Sequence, residues 1–382
     1  MKTIVSLFTV SLSFLLFSCD SNEKKQYELT KSEKTISFKL DNETKNVSPY
    51  AAPYTDKTGK EYLVFQNYSF ENRSNELQFF DLKTQTLAFK INPEVEGPNG
   101  VGRILGCHIQ DLDSIYVTSI FEAKLMRINK DRKVLEKISY EKSTDSIPLS
   151  DACFTTSYHK LATPIGKTLY MYSGPDRWAD KDPVTITFNM ETKEIKALPF
   201  IYPDYPGSDV KIKKFGMEDS FSRSYDGHRF LYSFLYDENI YVANPAHDSV
   251  YKVPVKSKFF DNVQLPDELT AQAIDFCKNA MYGNLLYDPY REVYYRIAFP
   301  PTEVEKNIKP MELIEYGRKN FSIILLNKDL QIIGETLFPD YTYNPKQMMI
   351  LADGLYISDS HYMNPRFSDD LLSFVRFDLT AY

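Results

Sequence analysis

Clustered basic residues and paired cysteines are scarce in this chain, and each scarcity removes a class of function. The 382 residues hold 45 Lys and Arg against 52 Asp and Glu, a formal net charge of −7. No Lys/Arg-rich block interrupts that acidity. The clustered positive charge that a phosphate backbone requires is therefore missing, and nucleic acid is excluded as a partner. The four cysteines are Cys19, Cys107, Cys153 and Cys277. Their irregular spacing, with an odd number left after Cys19, fits neither a disulfide framework nor a zinc signature. The five histidines form no HxH or HExxH pair, so no metal site is expected. A GxSxG elbow, a P-loop and a dinucleotide fingerprint are absent too, and no cofactor is expected. The segment Gly97-Pro98-Asn99-Gly100-Val101-Gly102 is rich in glycine but leads into a strand, whereas a phosphate cradle needs a helix N-terminus behind it.

Long hydrophobic runs are also missing, with one exception at the start. Lys2 precedes an apolar stretch from Ile4 to Phe17, too short for a membrane span of ~20 residues but suited to a signal-peptide core. It ends in Leu16-Phe17-Ser18-Cys19, which resembles the bacterial lipobox. That resemblance implies removal of residues 1–18 as a signal peptide and acylation of Cys19 as the new N-terminus. Each buried methylene of such chains contributes ~0.8 kcal/mol, so two or three chains hold a protein on a membrane. Loss of Lys2 moves the net charge from −7 to −8. Residues 20–34 are mostly polar and read, with Cys19, as a lipidated tether over 19–34. The folded domain is expected over 35–382, in the cell envelope, with the outer membrane as its anchor.

What the chain has in excess is aromatic: 28 Tyr and 26 Phe against one Trp. Large aromatics suit half-buried strands. Short strand-like runs alternate with turn residues at a period of ~45–65 residues, the signature of an all-β propeller whose repeat is a four-stranded blade. Residues 102–140 show the unit: GRILGCHIQD, LDSIYVTSIF, KLMRINK and KVLEKISY. Third strands end in a recurring pair, Phe80-Asp81, Ile128-Asn129, Phe188-Asn189, Leu326-Asn327 and Phe377-Asp378. The count is a single propeller of six blades, with seven as the alternative because 201–228 has room for another. A pair of β-sandwiches would need an interdomain linker, and no Gly/Ser/Pro-rich break supplies one. The final blade ends one strand short, and TISFKLD at 35–41 stands alone. Pairing it with 371–379 closes the ring and removes two exposed edges. In blade four, RFLYSFLYD (229–237) is read as the first strand, with a fourth near 259–265.

In such a meander the first-to-second and third-to-fourth turns share one face, while second-to-third loops and blade connections share the other. Short turns fall in the first set, among them TDKTG, QDLD, NKDR and YDEN. Nearly all long segments fall in the second: 92–102, 141–159, 174–183, 201–228, 266–283, 300–320 and 360–370. One face is thus plain and the other elaborated, as where scaffolds display functional loops. Asp267 to Ala280 is expected as a helix lying over the rim, and 302–318 as a second, more polar one. The candidate binding face comprises Asn99, Arg103, His159, Arg177, Trp178, His228, His247, His361, Tyr362 and Arg366. His159 and His228 are placed at inner-strand entrances, and His247 and His361 in second-to-third loops. Trp178, beside Asp176, Arg177 and Asp180, is the residue type that stacks on sugars or anchors partners. Asp151, Asp219 and Asp226 are the acids nearest the axis, where a propeller glycosidase would hold a carboxyl pair.

The lipobox, the GPNGVG connection and the segment SRSYDGHRFLYSFLYDENIYV (222–242) together resemble a Bacteroidetes envelope lipoprotein family described only as a domain of unknown function. The chain is also similar to six-bladed propeller lipoproteins of those bacteria whose connections carry Gly-x-Gly-Pro, with Val95 here in place of the first glycine. The resemblance implies an envelope propeller and carries over no catalytic residue. Three roles are consistent with this: a binding module for a protein, peptide or glycan; a glycan-cleaving enzyme with axial carboxylates; and a scaffold in an envelope assembly. The first is favoured, because no catalytic constellation can be assembled from the residues.

Overall fold

Alternating burial makes the outer strands of this protein amphipathic, whereas its second and third strands are apolar on both sides, as radial packing demands. The structure, a computed structural model, describes residues 25–119, 122–149, 160–174, 183–203, 221–263 and 273–382. These form six four-stranded antiparallel sheets arranged as a β-propeller. Blade I comprises β2 (Ala51–Thr55), β3 (Glu61–Ser69), β4 (Ser74–Asp81) and β5 (Thr86–Ile91). Blade II comprises β6 (Ile104–Asp111), β7 (Ser114–Ser119), β8 (Glu122–Ile128) and β9 (Val134–Ser139). Blade III comprises β10 (Thr163–Ile165), β11 (Thr168–Tyr172), β12 (Thr185–Asn189) and β13 (Ile195–Ala197). Blade IV comprises β14 (Phe221–Tyr225), β15 (Phe230–Phe234), β16 (Asn239–Ala243) and β17 (Val250–Pro254). Blade V comprises β18 (Met281–Asp288), β19 (Val293–Phe299), β20 (Ser322–Leu326) and β21 (Ile332–Leu337). Blade VI holds β22 (Asn344–Leu351), β23 (Gly354–Ser358) and β24 (Leu371–Ala381), and its fourth strand is β1 (Tyr27–Lys39).

The first strand therefore closes the ring beside the last, with Thr35 opposite Val375 and Lys39 opposite Leu371. It starts at Tyr27 rather than Thr35, so the part of the expected tether from Tyr27 to Lys34 is strand. Leu29, Ile36 and Phe38 are buried by this pairing. One glycine permits it: a Cβ on Gly334 of β21 would stand 1.8 Å from the Tyr27 carbonyl oxygen.

Hydrophobic packing lies between neighbouring blades. Val64, Phe79, Val117 and Met126 fill the layer between I and II, and Leu231, Val242, Tyr294 and Ile324 that between IV and V. The aromatic excess is largely spent here, with Phe79 stacked on Phe89 and Phe321 on Phe338. Buried tyrosines also bond turn carboxylates, Tyr295 to Asp288 at 2.8 Å and Tyr241 to Asp237 at 2.5 Å.

The recurring Asp/Asn after third strands has a local cause. Asn189 and Asn327 each accept two backbone N–H groups of the following turn, and Asp81 does the same. These side chains set the reversal into the outer strand. Asn244 accepts from Ser249 N in the same way, which marks β16 as the third strand of blade IV. That blade is thus offset by one from the sequence expectation: 229–237 contains the second strand, β14 is the first, and no strand occupies 259–263. The turn around Asp237 accordingly belongs to the elaborated face. Both expected helices exist in shorter form, α1 (Ala273–Lys278) and α2 (Pro310–Tyr316), the latter with proline in its first turn.

Candidate functional site

The elaborated face carries α1, α2, the connection 92–103 and the loop 359–370. Of the expected binding residues, Asn99, Arg103, His361, Tyr362 and Arg366 lie in these segments. Asn99 accepts the Val134 N–H at 3.2 Å and so fixes its own loop against blade II. Arg103 is exposed, its guanidinium 4.6 Å from the Tyr68 ring and 4.9 Å from Phe70. Phe70 is 67% exposed, so cation and aromatics form one open patch with Tyr68 edge-on to Phe70. His361 is buried, with Nε2 3.0 Å from the Gly317 carbonyl and Nδ1 accepting from Met363 N–H. Tyr362 stacks on His361 and lies against Tyr316. Arg366 is exposed and pairs with Asp359.

His228 and His247 belong elsewhere. The offset of blade IV puts His228 in the β14–β15 turn and His247 in the β16–β17 turn, both on the plain face. His247 is buried, bonded to the Tyr232 hydroxyl through Nε2 and to the Pro245 carbonyl through Nδ1. Asp226, placed near the axis from sequence, is also a plain-face turn residue, bonded to Arg229 and Tyr294. Cys19, His159, Arg177 and Trp178 lie outside the described residues, as do Asp151, Cys153 and Asp219. Cys107 and Cys277 are buried free thiols.

Two cavities adjoin, one along the axis and one beneath α1 and α2. The axial one, of about 210 Å³, is walled by inner strands: Ala51 and Ala52 of β2, Arg223 and Ser224 of β14, Asn284 to Tyr287 of β18, and Lys346 to Ile350 of β22. The second, of about 110 Å³, lies beneath α1 and α2 between Phe221, Phe276, Met281, Phe299 and Ile314, with Arg318 at its wall. Asn284 and Lys346 line both. Every charged side chain on these walls is a cation, and no carboxylate lines either cavity among the described residues. Arg223 spends its terminal nitrogens on the carbonyls of Leu161, Tyr170 and Met171 and on the Thr185 hydroxyl. Arg318 donates to the carbonyls of Asn279 and Pro300. The Lys346 ammonium meets no hydrogen-bond acceptor among the described residues, and enclosure by protein pushes it down to about 8. Lys160, beside Arg223 and 3.5 Å from the Tyr172 ring, is pushed down to about 7, by burial first and by the guanidinium second.

A family model described as Domain of unknown function (DUF4221) matches residues 26–337. The chain belongs to this family. A solved DUF4221 member from Bacteroides vulgatus shares 25% identity at a TM-score of 0.79, over 94% of this chain and all of that one. A Bacteroides fragilis protein whose name marks it as a candidate exported protein superposes at a TM-score of 0.52 with 12% identity, over 94% of this chain and 97% of that one. No curated protein matches the sequence.

Within this DUF4221 propeller, sequence reasoning missed the cavity cations altogether. Arg223, Arg318 and Lys346 occur among polar neighbours and read as surface charges. Their common signal is weak: Arg223 and Lys346 sit in inner strands, where only ring closure makes a side chain internal, and Arg318 lies in the connection between α2 and β20. Tyr68 and Phe70 were missed because a short loop, 70–73, separates β3 from β4.

Proposed function

We propose that this protein is a lipid-anchored envelope binding protein that uses its elaborated face to capture a ligand without turning it over. The observation that carries this reading is the one-sidedness of the ring. Helices, long loops, the exposed Phe70, Met311 and Met363, and the cavity beneath α1 and α2 gather at the same end. The opposite end shows tight turns capped by Asp and Asn. The exported label of a structural neighbour is consistent with an envelope location, and the resemblance of Leu16-Phe17-Ser18-Cys19 to a lipobox supports acylation at Cys19. A glycosidase pair has nothing to build on among the described residues, since the cavity walls hold no acids.

Two measurements test the reading. Metabolic labelling with an alkyne fatty acid should mark the wild-type protein and not Cys19→Ala, which should leave the membrane fraction. In-cell crosslinking should show partners that disappear in Phe70→Ser/Arg103→Glu while the thermal midpoint stays within a few degrees, as expected for exposed positions. Identical crosslinks in wild type and variant would count against this face as the site of capture.

A further inference from the structure

We propose that the adjoining cavities bind a small apolar carboxylate, its anionic head at Lys346 and its hydrocarbon body between Phe221, Phe276, Met281 and Phe299. This deepens the reading of the protein as a binding module and rests on it.

Size comes first. A dry protein cavity of ~150 Å³ accommodates benzene, so the apolar pocket of about 110 Å³ together with its axial neighbour of about 210 Å³ has room for a body of that order plus a head group. The walls of the smaller pocket are aromatic and aliphatic, and α1 and α2 roof it through the cluster of Cys277, Ile308 and Leu313.

Charge decides the head. Arg223, Arg318 and Lys346 stand on the walls with no carboxylate lining them among the described residues, and Glu315, the acid whose charge reaches Lys346, is itself paired with Lys45 at 3.3 Å. The Nε atoms of Arg223 and Arg318 are buried without partners among the described residues. Buried cations without counter-charge are unfavourable unless something supplies one. A neutral occupant would leave that cost in place, whereas an anion removes it. Among the described residues, only Lys346 faces both cavities with its donors uncommitted, since the terminal nitrogens of both arginines are engaged by carbonyls. One uncommitted ammonium matches a monoanion. A phosphate dianion would need a cradle of several donors, and the pocket beside Lys346 is hydrocarbon. The head is therefore a carboxylate, and the body apolar.

The test is calorimetric titration of the mature protein with phenylacetate, isovalerate and octanoate, beside acetate and neutral 2-phenylethanol. At least one of the three apolar acids should bind about tenfold or more tightly than both acetate and 2-phenylethanol, the usual scale of one charged hydrogen bond. Lys346→Met, nearly isosteric, should bring that acid down to the level of 2-phenylethanol and leave 2-phenylethanol unchanged. Met281→Trp, which fills the apolar pocket, should abolish both. No preference for any apolar acid in the wild type overturns the assignment without recourse to a variant, as does full affinity in Lys346→Met. Loss of acid binding with intact crosslinks at the Phe70 face would sink the carboxylate site alone. Normal acid binding with crosslinks indifferent to Phe70→Ser/Arg103→Glu would sink only the proposal that this face captures partners.

Discussion

His361 shows how a buried side chain couples this fold to pH. Its Nε2 donates to the Gly317 carbonyl, and its Nδ1 accepts from the Met363 N–H, so the neutral tautomer is fully paired. A proton on Nδ1 would face a donor in a site closed to water. Burial accordingly lowers its pKa to about 4, and His247, enclosed beneath blade IV, is lowered to about 4 as well. Unfolding restores both to the ordinary histidine value of ~6.5. Below that value the unfolded chain binds more protons than the native one. Stability is thus complete above pH 6.5 and falls as pH drops towards 4, with each histidine accounting for about 2 kcal/mol at pH 5. Urea unfolding at pH 7 and pH 5 measures the loss. Carboxylates with lowered pKa contribute in the same direction, so the informative quantity is the difference between wild type and His361→Gln. The variant should lose about 2 kcal/mol less over that interval, and equal losses would show that His361 is not held neutral by the fold. None of this was legible in the sequence, where a loop histidine between Ser360 and Tyr362 looks like a surface residue and a ligand contact.

Blade-to-blade polar ties explain both what the sequence revealed about the elements and where it misled. Arg296 lies in the middle of β19, a strand buried along its whole length. Its guanidinium donates to Ser233 Oγ and to the carbonyls of Asp237, Glu238 and Val255, all from blade IV or its exit, and lies 3.6 Å from the Tyr282 ring. Ser222 and Ser224 of β14 likewise bond Leu285 and Tyr287 of blade V. These are the residues that hid β14. Phe221-Ser222-Arg223-Ser224-Tyr225 reads as a polar loop, whereas its serines tie it to inner strand β18 and Arg223 ties it to β11 and β12 of blade III. The strand count in the other blades was legible because their turns and apolar runs alternate cleanly, and the Asx signal at Asn244 would have corrected the slip. Arg296→Met should cost about 3 kcal/mol, because it strands the carbonyls of Asp237 and Val255, which no other donor reaches among the described residues, while Glu238 keeps the Val255 N–H. Arg127→Ala, which removes a half-exposed pair with Glu136, should cost under ~1 kcal/mol. Urea midpoints of the two variants compare them directly, and equal shifts would refute the role assigned to the tie.

At the scale of the whole molecule, the closing strand would fix how the ring sits on a membrane if the proposed anchor at Cys19 holds it there. A fourth strand starts at the plain face, because the third-to-fourth turn lies there. Tyr27 therefore begins β1 on that side, and the groove containing Lys25 to Tyr27 is completed by Arg291, Glu292, Asn327 and Lys328 from plain-face turns. If Cys19 is acylated, residues 20–26 bridge the anchor to this end. Fully extended they reach about 25 Å, shorter than a path around the ring to the other face. The plain face must then rest near the bilayer, and α1, α2 and Phe70 must point away from it. Ligand access from the aqueous side follows from that orientation, as does the tolerance of the anchored face for nothing but short turns. Fluorophores attached at Lys328→Cys and Glu71→Cys, each in a Cys153→Ser background, provide the test on the acylated protein in vesicles bearing headgroup nitroxides. Quenching should be strong at position 328 and weak at 71, and Cys19→Ala should abolish it at both. Equal quenching at the two positions would mean that the ring lies on its side, and the elaborated face would then be partly occluded by lipid.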